Sequence, residues 1–90
     1  MIQKIEASSE VRRILTLIAR SIVDSPLSVT VEVETATDET VMHLHVAPDD
    51  LQRIEGPQGE IRRSLRNILA DMSTKYNHPF VLDIAASESN

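Results

Sequence analysis

The sequence predicts an α+β domain in which three helices cover one face of a three-stranded mixed sheet. Apolar residues recur with a helical period in three stretches and alternate with polar residues in three others, in the order α-β-β-α-α-β. A short turn joins the first two strands and predicts an antiparallel hairpin. Two helices separate the last two strands, which permits parallel, right-handed pairing. Each strand has a single apolar face, so we expect the other face to meet water.

The first helix is predicted over residues 9–24. Its apolar stripe consists of Val11, Ile14, Leu15, Ile18 and Ile22. Ser8 or Ser9 can cap its start, with Glu10 in the first turn. Pro26 ends the helix, because the residue before a proline is pushed out of the helical region.

The next two stretches, residues 28–35 and 40–46, alternate apolar with polar side chains and predict strands joined by a turn at 36–39. In the second strand the inward face is formed by Met42, Leu44 and Val46, and the outward face by Val41, His43 and His45. This strand pairs with the first through the hairpin and with the last through the crossover. It is therefore predicted to be the central strand.

A short helix is predicted after the hairpin. Pro48 suits the first helical position, and Asp49 and Asp50 suit the first turn, where carboxylates favour the helix dipole. Gly56 ends this helix. After the glycines a longer helix runs to about Tyr76 on a stripe of Ile61, Leu65, Ile68, Leu69 and Met72.

The last strand is predicted from residue 80, with inward side chains Phe80, Leu82 and Ile84. Residues 85–90 are small and polar and are predicted to fray. We expect one core that buries together Val46, Ile61, Leu65, Ile68 and Leu82.

Composition limits the classes of function that are open to the chain. There is no cysteine, which excludes disulfides and thiolate metal sites, and only two residues are aromatic, which excludes a base-stacking surface built on aromatic rings. No apolar run approaches a membrane span, and the N-terminus lacks a signal-peptide core. We therefore expect one cytoplasmic domain over residues 1–90, ordered over about 8–85, with no membrane partner.

The net charge of −5 argues against a general nucleic-acid binder, but the charge is unevenly distributed. Residues 53–66 contain four arginines and two glutamates, a local +2 that leaves −7 for the remainder. Those arginines are Arg53, Arg62, Arg63 and Arg66. The asymmetry is compatible with a solvated helix face or with a local anion-binding surface.

Two glycines three residues apart stand between the last two predicted helices. The four residues of this segment are Gly56, Pro57, Gln58 and Gly59. Glycine allows a tight turn there, and the helix that follows points its free N–H groups and positive dipole end toward the loop. An anion such as a nucleic-acid phosphate can bind at such a helix start.

This arrangement and the order of elements resemble the type II KH domain, and in particular the small stand-alone KH proteins of bacteria (KhpA/YlqC type). The matching stretches are residues 22–26, 44–51, 56–59, 65–69 and 81–84. The resemblance implies weak binding of single-stranded RNA beside the GXXG loop, as in an RNA chaperone or post-transcriptional regulator. It also implies partnership as a homodimer or with a larger KH-containing protein.

By position, the resemblance assigns the RNA-binding loop to Gly56, Pro57, Gln58 and Gly59. It places Ile54 and Ile61 at the flanks of the groove. Arg62, Arg63 and Arg66 are added to the RNA site on charge alone, since cations in this region can reach phosphates.

The loop departs from the family pattern at three positions. The family reads Ile-Gly-Lys-x-Gly, whereas here Glu55 replaces the isoleucine and Pro57 replaces the lysine, and Glu60 follows the second glycine. Proline offers neither a charge nor an N–H group, and the carboxylates compete with a phosphate. The alternative function is therefore a protein-interaction module on a KH scaffold whose RNA site has decayed.

Side chains elsewhere favour neither a metal site nor catalysis. His43 and His45 share one face of a strand, but zinc needs a third or fourth ligand, so we expect two half-exposed histidines and no metal or cofactor. Ser64 has neither a histidine near it in sequence nor a Gly-x-Ser-x-Gly setting, and we expect no enzyme. The outward face around Val41 is either an ordinary sheet surface or an exposed patch for a partner.

Overall fold

A computed structural model describes the backbone of residues 4–88 and the side chains of residues 6–88. The elements follow the predicted order: α1 Lys4–Ile22, β1 Thr30–Thr35, β2 Thr40–Val46, α2 Leu51–Glu55, α3 Glu60–Tyr76 and β3 Phe80–Ala86. The α+β fold class and the order α-β-β-α-α-β are confirmed.

The sheet has the order β1-β2-β3, which confirms β2 as the central strand. The hairpin is antiparallel, with Thr30 opposite His45, and the crossover pair is parallel, with Thr40 opposite Phe80. Side chains along β2 alternate strictly between buried and half-buried, because only one face of the sheet lies under the helices.

Helix α1 begins at Lys4, so the predicted start near residue 9 is wrong, and Ser8 and Ser9 lie inside the helix. The apolar side chains that α1 buries recur every four residues and are Ala7, Val11, Leu15 and Ala19. Alanine has the highest helix propensity and lets the helix axis approach the sheet closely, so burial of Ala7 extends the helix by one turn. The predicted isoleucines of the stripe are only half-buried.

The expected core is confirmed in part. Val46, Leu65 and Leu82 are buried, and Ile61 packs against the core while half-buried. Ile68 is half-buried and does not belong to the core cluster. At 100° per residue it lies about 60° from Leu65, at the edge of the apolar stripe, where it is partly exposed to solvent.

The predicted start of the first strand and the predicted end of the last strand need correction. A single turn of 3-10 helix at Pro26–Ser28 occupies the start of the predicted first strand, so β1 begins at Thr30. The predicted fraying from residue 85 is wrong for the described residues, because β3 continues to Ala86 and Ser87 donates to the Val46 carbonyl at 2.7 Å. The last two residues of the predicted tail lie outside the described residues.

Asp50 has a different role from the predicted one. Its side chain makes no capping hydrogen bond to its own helix. It is 2% exposed and accepts hydrogen bonds from the backbone N–H groups of Asp24 and Ser25, at 3.0 Å each. Asp50 therefore ties the start of α2 to the segment between α1 and β1, which fixes α2 relative to the sheet.

Candidate nucleic-acid interface

The GXXG loop connects α2 to α3, and its first glycine is required by geometry. Gly56 has φ 76° and ψ 173°, and its N–H group donates to the Gln52 carbonyl at 3.0 Å, which ends α2. A Cβ atom on Gly56 would lie 2.6 Å from Cγ1 of Ile61 and 2.9 Å from its backbone nitrogen. Only glycine combines this backbone conformation with so close an approach.

The second half of the loop is a left-handed turn. Gln58 has φ 56° and Gly59 has φ 73°, and the Gly59 N–H group donates to the Gly56 carbonyl at 3.1 Å. The N–H group of Glu60 donates to the Pro57 carbonyl. Together with the missing N–H of proline, these internal bonds leave few loop amides for a phosphate. The bare helix N-terminus expected from the sequence is therefore partly satisfied by the loop itself.

Two of the three proposed arginines already have partners. Arg62 Nε lies 3.5 Å from Glu55 Oε1, and Arg63 Nη1 donates to the Gln58 carbonyl at 2.7 Å. The Arg63 bond holds the left-handed turn against the first turn of α3. Arg66 is exposed and, within residues 6–88, its side chain forms no ion pair or hydrogen bond.

Two grooves lie beside α3, and one of them includes the loop. One groove, of about 780 Å³, lies beside α2 and is lined in part by Arg53, Gly56, Pro57 and Ile61. Another runs between α3 and the edge strand β3, where Arg66 lies beside Phe80, Val81 and Leu82. An edge strand offers unpaired backbone N–H and C=O groups to a ligand.

The structure brings the loop, Ile61 and Arg62 together and corrects the expectation for Ile54. Ile54 is 0% exposed and lies in the core, so it supports the groove from beneath and is not at its surface. A short helix of five residues has one buried face, and Ile54 occupies it.

Arg53 is a further residue of this region that the sequence analysis counted only as charge. Its guanidinium Nη2 lies 2.9 Å from Asp24 Oδ2, and its Nε lies 3.8 Å from Asp50 Oδ1. Arg53 thus links α2 to the segment between α1 and β1. The i, i+3 spacing of Asp50 and Arg53 was the signal in the sequence, but the contact with Asp24 depends on tertiary packing.

The open face of the sheet carries the histidines, half-exposed as predicted. His43 bonds through Nδ1 to Asp83 at 2.9 Å and through Nε2 to Glu34 at 2.7 Å. These two carboxylates raise the pKa of His43, and Asp83 has the larger effect. His45 Nε2 lies 3.0 Å from Glu32 Oε1 but outside hydrogen-bonding geometry within the described residues.

Within the described residues, no helix has the length and apolar content that crossing a membrane requires.

Comparison with known proteins agrees with the fold. Residues 12–84 match the family model described as KhpA/KhpB, KH domain. The RNA-binding protein KhpA of Clostridium acetobutylicum is 33% identical over 73 residues, which are 81% of this chain and 97% of that protein. KhpA of Aquifex aeolicus is 34% identical over 76 residues, 84% of this chain and 96% of that protein. KhpA of Clostridium perfringens is 29% identical over 73 residues, again 81% of this chain and 97% of that protein.

All three relatives are bacterial proteins of nearly the same length as the matched segment. The family match covers most of the chain, and its span includes α2, the GXXG loop and α3. The chain therefore belongs to the KhpA/KhpB family of KH domains.

Proposed function

We propose that this protein binds single-stranded RNA weakly along α3. The GXXG loop contacts one end of the RNA, and the edge of β3 lies beside the RNA. One observation carries the proposal. Two glycines at positive φ hold the start of α3 at an open groove, and Arg66 extends from the same helix without a partner in residues 6–88. The three relatives described above are each named RNA-binding protein KhpA, which supports the proposal.

In this proposal the phosphate contacts come from the loop residues Gly56, Pro57, Gln58 and Gly59 and from Arg62, Arg63 and Arg66. Arg66 is the strongest candidate because its charge is not neutralised. Arg62 must give up Glu55 before it can contact a phosphate, and Arg63 is held by the Gln58 carbonyl. Ile61 lines the groove and provides an apolar surface for a base or ribose.

Few phosphates are neutralised by such a site, so binding is weak and its dependence on salt is shallow. With three or four phosphate contacts, the slope of log K against log salt is about −2 to −3, at about −0.7 per single-strand phosphate. The physiological role that fits weak, sequence-tolerant binding is that of a cytoplasmic RNA chaperone or post-transcriptional regulator, without catalysis.

Fluorescence anisotropy with a labelled single-stranded RNA tests this proposal. Arg66→Gln should weaken binding about two- to fivefold and flatten the salt slope, because one exposed charge contact is worth up to about 1 kcal/mol. Leu27→Glu is the matched control: it changes the net charge equally, and Leu27 is 94% exposed in a turn outside the proposed site. Equal weakening by both variants would mean that only overall charge matters, and the proposed site would fail.

The second candidate function is a protein-interaction module, with a homodimer or a larger KH-containing protein as the assembly. The observation that favours it is the self-contained loop, in which Glu55 neutralises Arg62 and internal bonds use most of the amides. Crosslinking in cells distinguishes the two. Recovery of RNA crosslinked to α3 supports the first candidate, and recovery of a protein crosslinked at the loop without RNA supports the second.

A further inference from the structure

The outer face of α1 carries a basic groove that the proposed RNA site does not use. Its lining residues are Ser9, Arg12, Arg13, Thr16, Leu17 and Arg20. Arg20 has no partner within residues 6–88, and Arg12 Nε donates to the Val31 carbonyl at 3.0 Å, which leaves its charge uncompensated. Arg13 is paired with Glu10, so this surface, called here the α1 groove, has a net charge of +2 in a chain of −5.

The charge distribution singles out this groove. Among the other described cations, Arg53 and Arg62 have carboxylate partners, and Lys75 lies over the ring of Tyr76. Arg63, like Arg12, bonds to a backbone carbonyl, but it belongs to the first site at the loop. The arginines that no carboxylate neutralises and that line a groove are therefore Arg66 on one side of the domain, and Arg12 and Arg20 on another.

The two grooves lie at opposite edges of the sheet. Arg12 is bonded to β1, whereas Arg66 lies beside β3, and β1 and β3 flank β2 on its two sides. The edges are two strand spacings apart, about 10 Å, and helices lie between the grooves on the covered face. Because α1 contacts β1 and α3 contacts β3, the two grooves lie on different sides of the domain and share no residue.

The groove has the chemistry and length of a contact with a sugar–phosphate backbone. Arg12 and Arg20 are eight residues apart, about 12 Å along the helix. That span holds about three phosphates at the 3.4 Å rise per nucleotide of a stacked strand. Between the arginines lies Leu17, 53% exposed, which offers an apolar surface to a ribose or the face of a base.

We propose that the α1 groove is a second, independent contact surface for the phosphate backbone of single-stranded RNA, so that one domain holds two RNA segments at once. This inference extends the proposed function, which it takes as its first site, but the two sites use different residues. A protein with two such surfaces brings two strands together and accelerates the pairing of complementary sequences.

The test is an NMR titration of the full chain with a six-nucleotide oligouridine, following backbone amides. We expect two groups of amides to shift with separate saturation curves, one around residues 56–66 and one around residues 9–20. Arg20→Gln should weaken the second curve about two- to fivefold and leave the first unchanged, and Arg20→Lys should largely restore it. Arg66→Gln, which has the same charge change, should do the reverse and serves as the matched control.

The outcomes separate this inference from the proposed function. If the loop amides saturate while the amides of residues 9–20 do not move, the second site is refuted and the first stands. If only residues 9–20 respond, the proposed site at the loop fails and the α1 groove is retained.

A second measurement tests the consequence of having two sites. Arg20→Glu should slow the protein-stimulated annealing of complementary RNA strands several-fold while it remains folded by circular dichroism. An unchanged annealing rate would overturn the two-segment inference. So would binding of the α1 groove to vesicles containing phosphatidylglycerol without any response to the oligouridine, because the surface would then recognise a membrane.

Discussion

Replacement of Gly56 by alanine is expected to destabilise the domain far more than the same change at Gly59. Gly56 has φ 76° and ψ 173°, a combination essentially restricted to glycine, and holding an alanine in this backbone conformation costs about 1–3 kcal/mol. The added Cβ would also lie 2.6 Å from Cγ1 of Ile61, an overlap that forces Ile61 and the first turn of α3 to move. Overpacking of this kind costs about 1–3 kcal/mol more, so we expect a total loss of about 2–6 kcal/mol.

Gly59 is the matched comparison because it lies in the same loop without the steric conflict. Its φ of 73° and ψ of 20° are left-handed, and the nearest atom to an added Cβ is Arg63 Nη1 at 3.5 Å. Gly59→Ala should therefore cost only the left-handed strain, about 1–2 kcal/mol. Gly59→Asn should cost less, since asparagine adopts this conformation readily.

Urea unfolding followed by far-ultraviolet circular dichroism measures these differences, with equal m-values as the sign that the native state is retained. Ile61→Ala removes Cγ1, the nearest side-chain atom, so Gly56→Ala should cost less stability in the Ile61→Ala background than in the parent chain. Equal destabilisation by Gly56→Ala and Gly59→Ala would refute the argument from the contact with Ile61. It would mean that backbone strain alone makes both positions glycine.

Three further predictions follow from single contacts. Asp50→Ala should lower the free energy of unfolding by about 2–4 kcal/mol, because two backbone N–H groups lose their acceptor. Asp49 is exposed, so Asp49→Ala should change the free energy of unfolding by less than about 0.5 kcal/mol in the same urea assay. His43→Gln should cost more stability at about pH 5.5 than at pH 9, because the pKa of His43 is raised in the folded state. The stability that the protonated imidazole contributes is complete below the unfolded pKa of about 6.5 and is lost as the pH rises through the folded pKa. A loss of stability that is constant across this range would contradict the ion-pair assignment. Pro57→Lys combined with Glu55→Ile should strengthen RNA binding about five- to thirtyfold, partly because Glu55 then no longer neutralises Arg62, and anisotropy at two salt concentrations should find the gain smaller at high salt.

The sequence by itself determined the order of elements, the central position of β2 and the inward face of each strand. The elements and their inward faces depend on local periodicity, which side chains a few residues apart express without reference to the rest of the chain. The central position of β2 follows from the connections, because a short turn joins it to β1 and a two-helix crossover joins it to β3. The GXXG loop could also be located from the sequence, because its two glycines interrupt two helical patterns at a fixed spacing. The resemblance to the KH family could likewise be found from the sequence.

Only the tertiary structure decided which of the candidate side chains are available to a ligand. Ile54 and Asp50 have unremarkable positions in the sequence, yet packing buries both, and Asp50 serves a segment that is 25 and 26 residues away. Arg62 and Arg66 are one helical turn apart and look equivalent in the sequence, but only Arg62 meets a carboxylate. Such pairings depend on how separate elements cross, which no local pattern specifies, and they determine where this domain presents uncompensated positive charge.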